Sequence, residues 1–172
     1  QSRTSNIRQD YATINKSIVD KLNPPNLYRF FCLSLYRNDY YKVRWRIKDL
    51  AKRTREKEDA LKNFNKDIEA VLMRKRYREA INHPLIEFVM RSIYCIPPIE
   101  HPNFITLSYL FMTVDLNIKV KGYYIKLLLI AEDNKILLSS NKLANKLGMG
   151  KKNVESYNLD LYNAGLLKFI PN

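Results

Sequence analysis

The sequence predicts a mostly α chain with a few short strands, an α+β fold built as two similar units. Three observations carry that expectation. The segment from Ser140 to Phe169 has the pattern of a helix, a tight glycine turn, a second helix, a glycine stop and a strand. Sliding the chain along itself by 93 residues lays Leu50-Ala51 on Leu143-Ala144, and Leu61, Phe64 and Ile68 on Val154, Tyr157 and Leu161. The same shift lays Tyr11, Thr13, Ile14 and Ile18 on Phe104, Thr106, Leu107 and Phe111, so one offset serves both ends of the pattern. Finally, Cys95-Ile-Pro-Pro-Ile-Glu-His-Pro102 is a rigid, proline-rich boundary between the two halves.

Taken in order, residues 1–9 form a polar arm with Arg3 and Arg8, either a frayed terminus or an arm for a minor groove. Residues 10–96 make the first unit. Tyr11 to Leu22 is helical or extended and ends at Pro24-Pro25; Leu27 to Tyr36 is the apolar central helix; Tyr41 to Trp45 is a short strand, with Trp45 packed beneath the helices that follow. A helix from about Lys57 to Leu72 opens with Glu56, Glu58 and Asp59 amid Arg53, Arg55, Lys57, Lys62 and Lys66. The acids either favour the positive end of the helix dipole or read cytosine amino groups between backbone-gripping cations. Arg74-Lys75-Arg76-Tyr77-Arg78 is the densest cationic cluster and sits where a hairpin tip belongs, with Leu85 to Ile93 as its return strand.

Residues 97–102 are the linker and 103–172 the second unit. Its long helix is expected at Tyr123 to Glu132 and its short strand at Lys135 to Leu138. Ser139 or Ser140 caps the next helix, and Leu143, Ala144 and Leu147 line one face of it. Gly148 allows the positive φ of a sharp turn. The following helix turns Val154, Tyr157 and Leu161 inward, and Gly165 ends it. Lys151, Lys152, Asn153, Glu155, Ser156 and Asn158 are left on its outer face, and Leu166 to Ile170 is apolar enough for a strand. The chain opens at Gln1 and stops within this last hairpin, the pattern of a fragment of something longer.

Ser140 to Phe169 resembles the winged helix-turn-helix superfamily, and Arg46 to Leu72 resembles it loosely, since Thr54-Arg55-Glu56 lacks the turn glycine. With the offset, the whole chain is similar to the tandem winged-helix replication initiators of plasmids and phages. The resemblance implies two winged-helix domains, residues 10–96 and 103–172, the second wing incomplete. It also implies double-stranded DNA as partner, with a homodimer or other replication or transcription proteins as further candidates. A transcription regulator and a winged-helix protein-interaction module stand as alternatives.

Charge points the same way. The net charge of +13 attracts polyanions, and no apolar run approaches the ~20 residues of a membrane span. All 12 arginines lie in residues 1–91, so the first half holds the bidentate donors that suit guanine edges and phosphates. Cys32 and Cys95 read as small apolar residues, and His83 and His101, each before a proline, do not make a metal site. No glycine precedes Gly122, which excludes a phosphate-cradling loop from the first two-thirds, and no nucleophile stands in a pattern with a base. The expectation is a DNA-binding protein with no catalytic residues, cofactor or metal, working in the cytoplasm at the nucleoid. Its DNA contacts are Arg53, Arg55, Lys57, Lys62, Lys66, Arg74, Lys75, Arg76, Arg78, Lys151, Lys152, Asn153, Ser156 and Asn158.

Overall fold

The computed structural model describes residues 7–39, 41–44, 46–68, 71, 93–97 and 99–170. Arg3, Trp45, Leu72, His83, the cluster of Arg74, Lys75, Arg76 and Arg78, and residues 85–92 of the expected return strand lie outside the described residues.

The described residues form a mixed α+β fold of several helices and short two-stranded sheets. Strand β1 (Tyr11–Asn15) turns Ala12 and Ile14 into the core and leaves Tyr11 exposed, the two-residue alternation of a half-buried strand. A 3-10 turn over Lys16–Asp20 follows. Helix α1 (Pro24–Ser34) starts earlier than expected from the sequence. Pro24 and Pro25, expected as a break, occupy the first turn, where a missing N–H costs nothing, and Asn23 caps the helix by accepting from the Asn26 N–H at 3.0 Å. Strand β2 (Lys42–Arg44) leads into α2 (Ile47–Thr54).

The expected helix from Lys57 to Leu72 is instead broken. A 3-10 turn at Glu58–Leu61 is followed by a short α3 (Phe64–Ile68), with Asn63, a residue that favours caps and turns, at the break. Strand β3 (Ile93–Cys95) pairs antiparallel with β2, Val43 opposite Tyr94. Strand β4 (Phe104–Ser108) pairs antiparallel with β1 and runs into a 3-10 turn at Tyr109–Thr113. Helix α4 (Ile118–Ile130), five residues earlier than expected at its start, is capped by Asn117. Helices α5 (Ser140–Leu147) and α6 (Lys151–Asn163) complete the order. The strand expected at Lys135 to Leu138 is reduced to one bridge, Glu132 to Lys135. Leu166 to Ile170 takes no strand conformation, because a strand needs a hydrogen-bonding neighbour and none of the described residues provides one.

Burial explains the arrangement. Leu27, Tyr28, Phe30, Phe31, Cys32 and Leu33 are all buried, so α1 buries apolar side chains on most of its circumference, interrupted by Arg29, and sits at the centre of the larger core. Ile125 and Leu129 of α4 join that core, while Val120, Tyr123 and Leu127 of the same helix pack with α5 and α6 in a second one. Helices α1 and α4 therefore tie the two halves together. Their approach is close: a Cβ on Gly122 would lie 1.6 Å from the Pro24 carbonyl oxygen. The linker is also held, by Ser17 Oγ donating to Glu100 at 2.7 Å and the Glu100 N–H donating to Asn15.

Elements recur at a constant step. From β1 at Tyr11 to β4 at Phe104, from α2 at Ile47 to α5 at Ser140, and from left-handed Arg55 to left-handed Gly148, the distance is 93 positions. Tyr41 and Asn134, both with positive φ, stand at the same step.

Candidate nucleic-acid interface

The turn between α5 and α6 is built as its sequence suggests. Ser139 caps α5, its side chain accepting from the Lys142 N–H at 3.3 Å. Leu143, Ala144 and Leu147 are buried beneath it. Gly148 takes φ 64°, and the Met149 N–H then closes on the Ala144 carbonyl at 2.9 Å, so the chain reverses within a few residues. Gly165, at φ 77°, ends α6, and the Leu166 N–H returns to the Leu161 carbonyl at 2.9 Å.

Helix α6 lies on the surface along a narrow stripe. Val154 and Leu161 are fully buried and Tyr157 partly so, while Lys151, Lys152, Asn153, Glu155 and Ser156 are exposed. No side-chain cap bond is made at Gly150, the N-cap, and Lys151 and Lys152 are exposed beside it, a setting that favours an anion. Asn158 departs from the expectation. Its Oδ1 accepts a 2.6 Å hydrogen bond from the Tyr123 hydroxyl, so it anchors α6 to α4 and does not belong to the outer face. Burial raises the Tyr123 pKa, and the Asn158 bond opposes that shift more weakly.

The corresponding region of the first half differs in detail. Arg55, Lys57, Lys62 and Lys66 are exposed, as expected. Arg53 is not: its guanidinium lies 3.4 Å from the Tyr36 ring centroid, and Nη1 is buried without a hydrogen-bond partner. Burial lowers its pKa. It packs α2 against the end of α1 and is half-buried there. Glu56 is turned away from solvent, paired with Arg29 by two hydrogen bonds where both side chains are nearly buried. Of the three acids that crowd the opening, only Glu58 and Asp59 remain outside, and Asp59 holds Lys62 at 3.2 Å in an exposed pair of small energetic value.

Arg55 fills the place of the missing glycine by adopting φ 59°, a left-handed conformation unfavourable for any residue with a Cβ. The Glu56 N–H closes on Ala51 at 2.9 Å, as Met149 does on Ala144. Arg55→Gly is therefore expected to stabilise the fold by about 0.5–1 kcal/mol, the relief of strain exceeding the extra backbone entropy of glycine. Thermal denaturation measures this; a lower melting temperature would mean that the arginine side chain contributes more than its backbone costs.

Between the halves sits a polar group inside the core. Lys121 Nζ donates to the Tyr28 hydroxyl at 3.3 Å and to the Met112 carbonyl at 3.2 Å. Burial lowers the Lys121 pKa and raises that of Tyr28, and it pushes the neighbouring Cys32 thiol up to about 12, so this cysteine is an inert thiol at neutral pH. Lys126 is likewise buried and donates to the Val19 carbonyl at 2.9 Å. Among the described residues no group of three or more His, Cys, Asp or Glu could hold a metal ion, and His101 packs edge-on to Phe104.

Lys142 and Lys146, four residues apart and exposed on α5, are absent from the contacts expected from the sequence, although their helical spacing beside the turn is a readable signal. Compared with protein-family models, with curated proteins and with solved structures, the chain shows no match. Among the described residues no helix is long and apolar enough to cross a membrane.

Proposed function

We propose that the chain is a double-stranded DNA-binding protein made of two winged helix-turn-helix units, and that it serves as an origin-binding replication initiator of a plasmid, phage or other mobile element. The observation that carries this reading is the α5–Gly148–α6 turn, whose second helix is attached by one narrow stripe and presents Lys151, Lys152, Asn153 and Ser156 outward. The order β2, α2, the helical segment at 58–68 and then β3 back on β2 supports a winged helix in the first half. The charge of +13 suits a polyanionic partner. In this reading Arg55, Lys57, Lys62 and Lys66 grip phosphates and α6 reads bases. The protein is non-catalytic and acts in the cytoplasm at the nucleoid.

A second reading has one observation in its favour. Glu58 and Asp59, exposed at the opening of the first helical segment, would face phosphates and suit a protein partner better. The two readings part on duplex binding itself. A role in transcription parts from one in replication on where the protein sits on its own replicon.

Asparagine pairs bidentately with adenine and lysine donates to guanine, at about 1–3 kcal/mol of discrimination per base pair read. Asn153→Ala and Lys152→Ala are therefore expected to relax preference at one or two base pairs while random-sequence binding stays nearly intact. Asn158→Ala, which removes the bond to Tyr123, should lower stability by about 1–2 kcal/mol and leave base preference unchanged. Competition binding with single-base variants of a selected site reads both outcomes. Equal weakening on all duplexes from the first two substitutions would restrict α6 to gripping the backbone.

A further inference from the structure

Two contacts in the fold join a residue to the residue 93 positions further along. Thr13 stands opposite Thr106 at the centre of the β1–β4 ladder. Tyr28 accepts the hydrogen bond from Lys121, whose charge also lies 4.8 Å from the Tyr28 ring centroid. The rest of the ladder follows the same rule. Exchange each residue of Tyr11↔Ser108 for the one at the same step, and the result is Phe104↔Asn15, another rung; Ala12↔Leu107 likewise becomes Ile105↔Ile14. In an isologous contact residue i meets j and j meets i, and a residue on the axis meets its own equivalent. Repeats stacked by translation, as in a solenoid, keep equivalent strands parallel, whereas β1 and β4 run antiparallel.

We infer that the chain is an intramolecular pseudo-dimer whose local two-fold axis passes through the Thr13–Thr106 and Tyr28–Lys121 pairs, and that its target is duplex DNA with two half-sites in inverted orientation, one for each helix-turn-helix. This rests on the DNA reading above. A duplex has local dyads perpendicular to its axis, so a two-fold protein that seats both units alike sets them down with opposite polarity, as helix-turn-helix dimers do on palindromic operators. The contacting residues are not symmetric. Glu58, Asp59, Ala60, Lys62 and Asn63 stand where the second unit has Lys151, Lys152, Asn153, Glu155 and Ser156, and all ten are exposed. The site is thus inverted in contact geometry and unequal in base sequence, which a homodimer cannot achieve and a fused pair can.

The test selects bound sites from a random duplex pool with the intact chain and with a variant carrying Glu58→Lys, Asp59→Lys, Ala60→Asn, Lys62→Glu and Asn63→Ser. The intact chain is expected to select an asymmetric site, and the variant, now with two like reading faces, an inverted repeat. Selection of a direct repeat, or of an unchanged site, overturns the inference while leaving DNA binding in place. Should the variant fail to fold by circular dichroism, hydroxyl-radical protection of the intact chain's own site decides. Protections related by a dyad on opposite strands support the inference, and a pattern repeated along one strand overturns it. If the intact chain retains no duplex at all, the DNA reading falls and this inference falls with it.

Discussion

Between 50 and 200 mM salt, duplex affinity is expected to fall by about 10³–10⁵-fold. Each phosphate neutralised by a cation releases counterions, and ~6–10 neutralised phosphates spread over two units give that slope. The supply of cations is ample: 30 lysines and arginines stand against 17 acids. Arg55, Lys57, Lys66, Lys142, Lys146, Lys151 and Lys152 are all exposed around the turns that follow α2 and α5. Replacing Arg74, Lys75, Arg76 and Arg78 together by alanine should weaken binding to every sequence alike. It should also flatten the slope by about one for each phosphate that the cluster neutralises. Fluorescence anisotropy over a salt series measures both quantities. An unchanged slope in that variant would place the cluster away from the duplex.

The largest effect on stability is expected from a single methyl group. Gly122 faces the first turn of α1, and a Cβ there would lie 1.6 Å from the Pro24 oxygen and 2.6 Å from the Pro24 Cα. The obstacle is backbone in a helix held by its cap and its buried side chains, so no rotamer change can relieve it. Gly122→Ala must push α1 and α4 apart and loosen the packing of the core they share. The expected cost is about 3 kcal/mol or more, a large part of the ~5–15 kcal/mol that holds a typical domain. Gly148→Ala provides the contrast. Nothing lies within 4 Å of its Cβ, so only the positive φ is penalised, at about 1 kcal/mol. Denaturant titration of both variants separates the steric cost from the conformational one. A cost for Gly122→Ala no greater than that for Gly148→Ala would contradict the packing described for α1 and α4.

The turn from α5 through Gly148 to α6 was legible because its signals are local. A serine cap, a glycine turn and apolar positions at helical spacing fix α5 and α6 without reference to the rest of the chain. The 93-residue shift was legible too, and the starts of β1 and β4, the starts of α2 and α5, and the left-handed turns at Arg55 and Gly148 fall on it. What the sequence could not reveal is what those equivalent parts do to each other. That β1 pairs with β4, and that Tyr28 meets Lys121, are long-range contacts with no trace in local pattern. Orientation within a helix was legible only where the apolar stripe is unambiguous. Asn158 lies one residue beyond Tyr157 at the edge of the stripe, and its bond to Tyr123 turns it inward. Arg53 has the local pattern of a surface cation because nothing nearby in sequence reveals the Tyr36 ring beneath it. The broken helix at 58–68 has a similar origin, for the apolar spacing of Leu61, Phe64 and Ile68 is kept by a 3-10 turn and a short helix as well as by one long helix.

Retention of random-sequence duplex by the purified chain at low salt tests the central claim most directly. The account predicts a gel shift at 50 mM salt that weakens markedly when Lys57, Lys62 and Lys66 are all replaced by alanine, with the circular dichroism of the variant unchanged. A chain that leaves duplex unshifted at that salt, or binds it equally well without those three lysines, would contradict the proposed function.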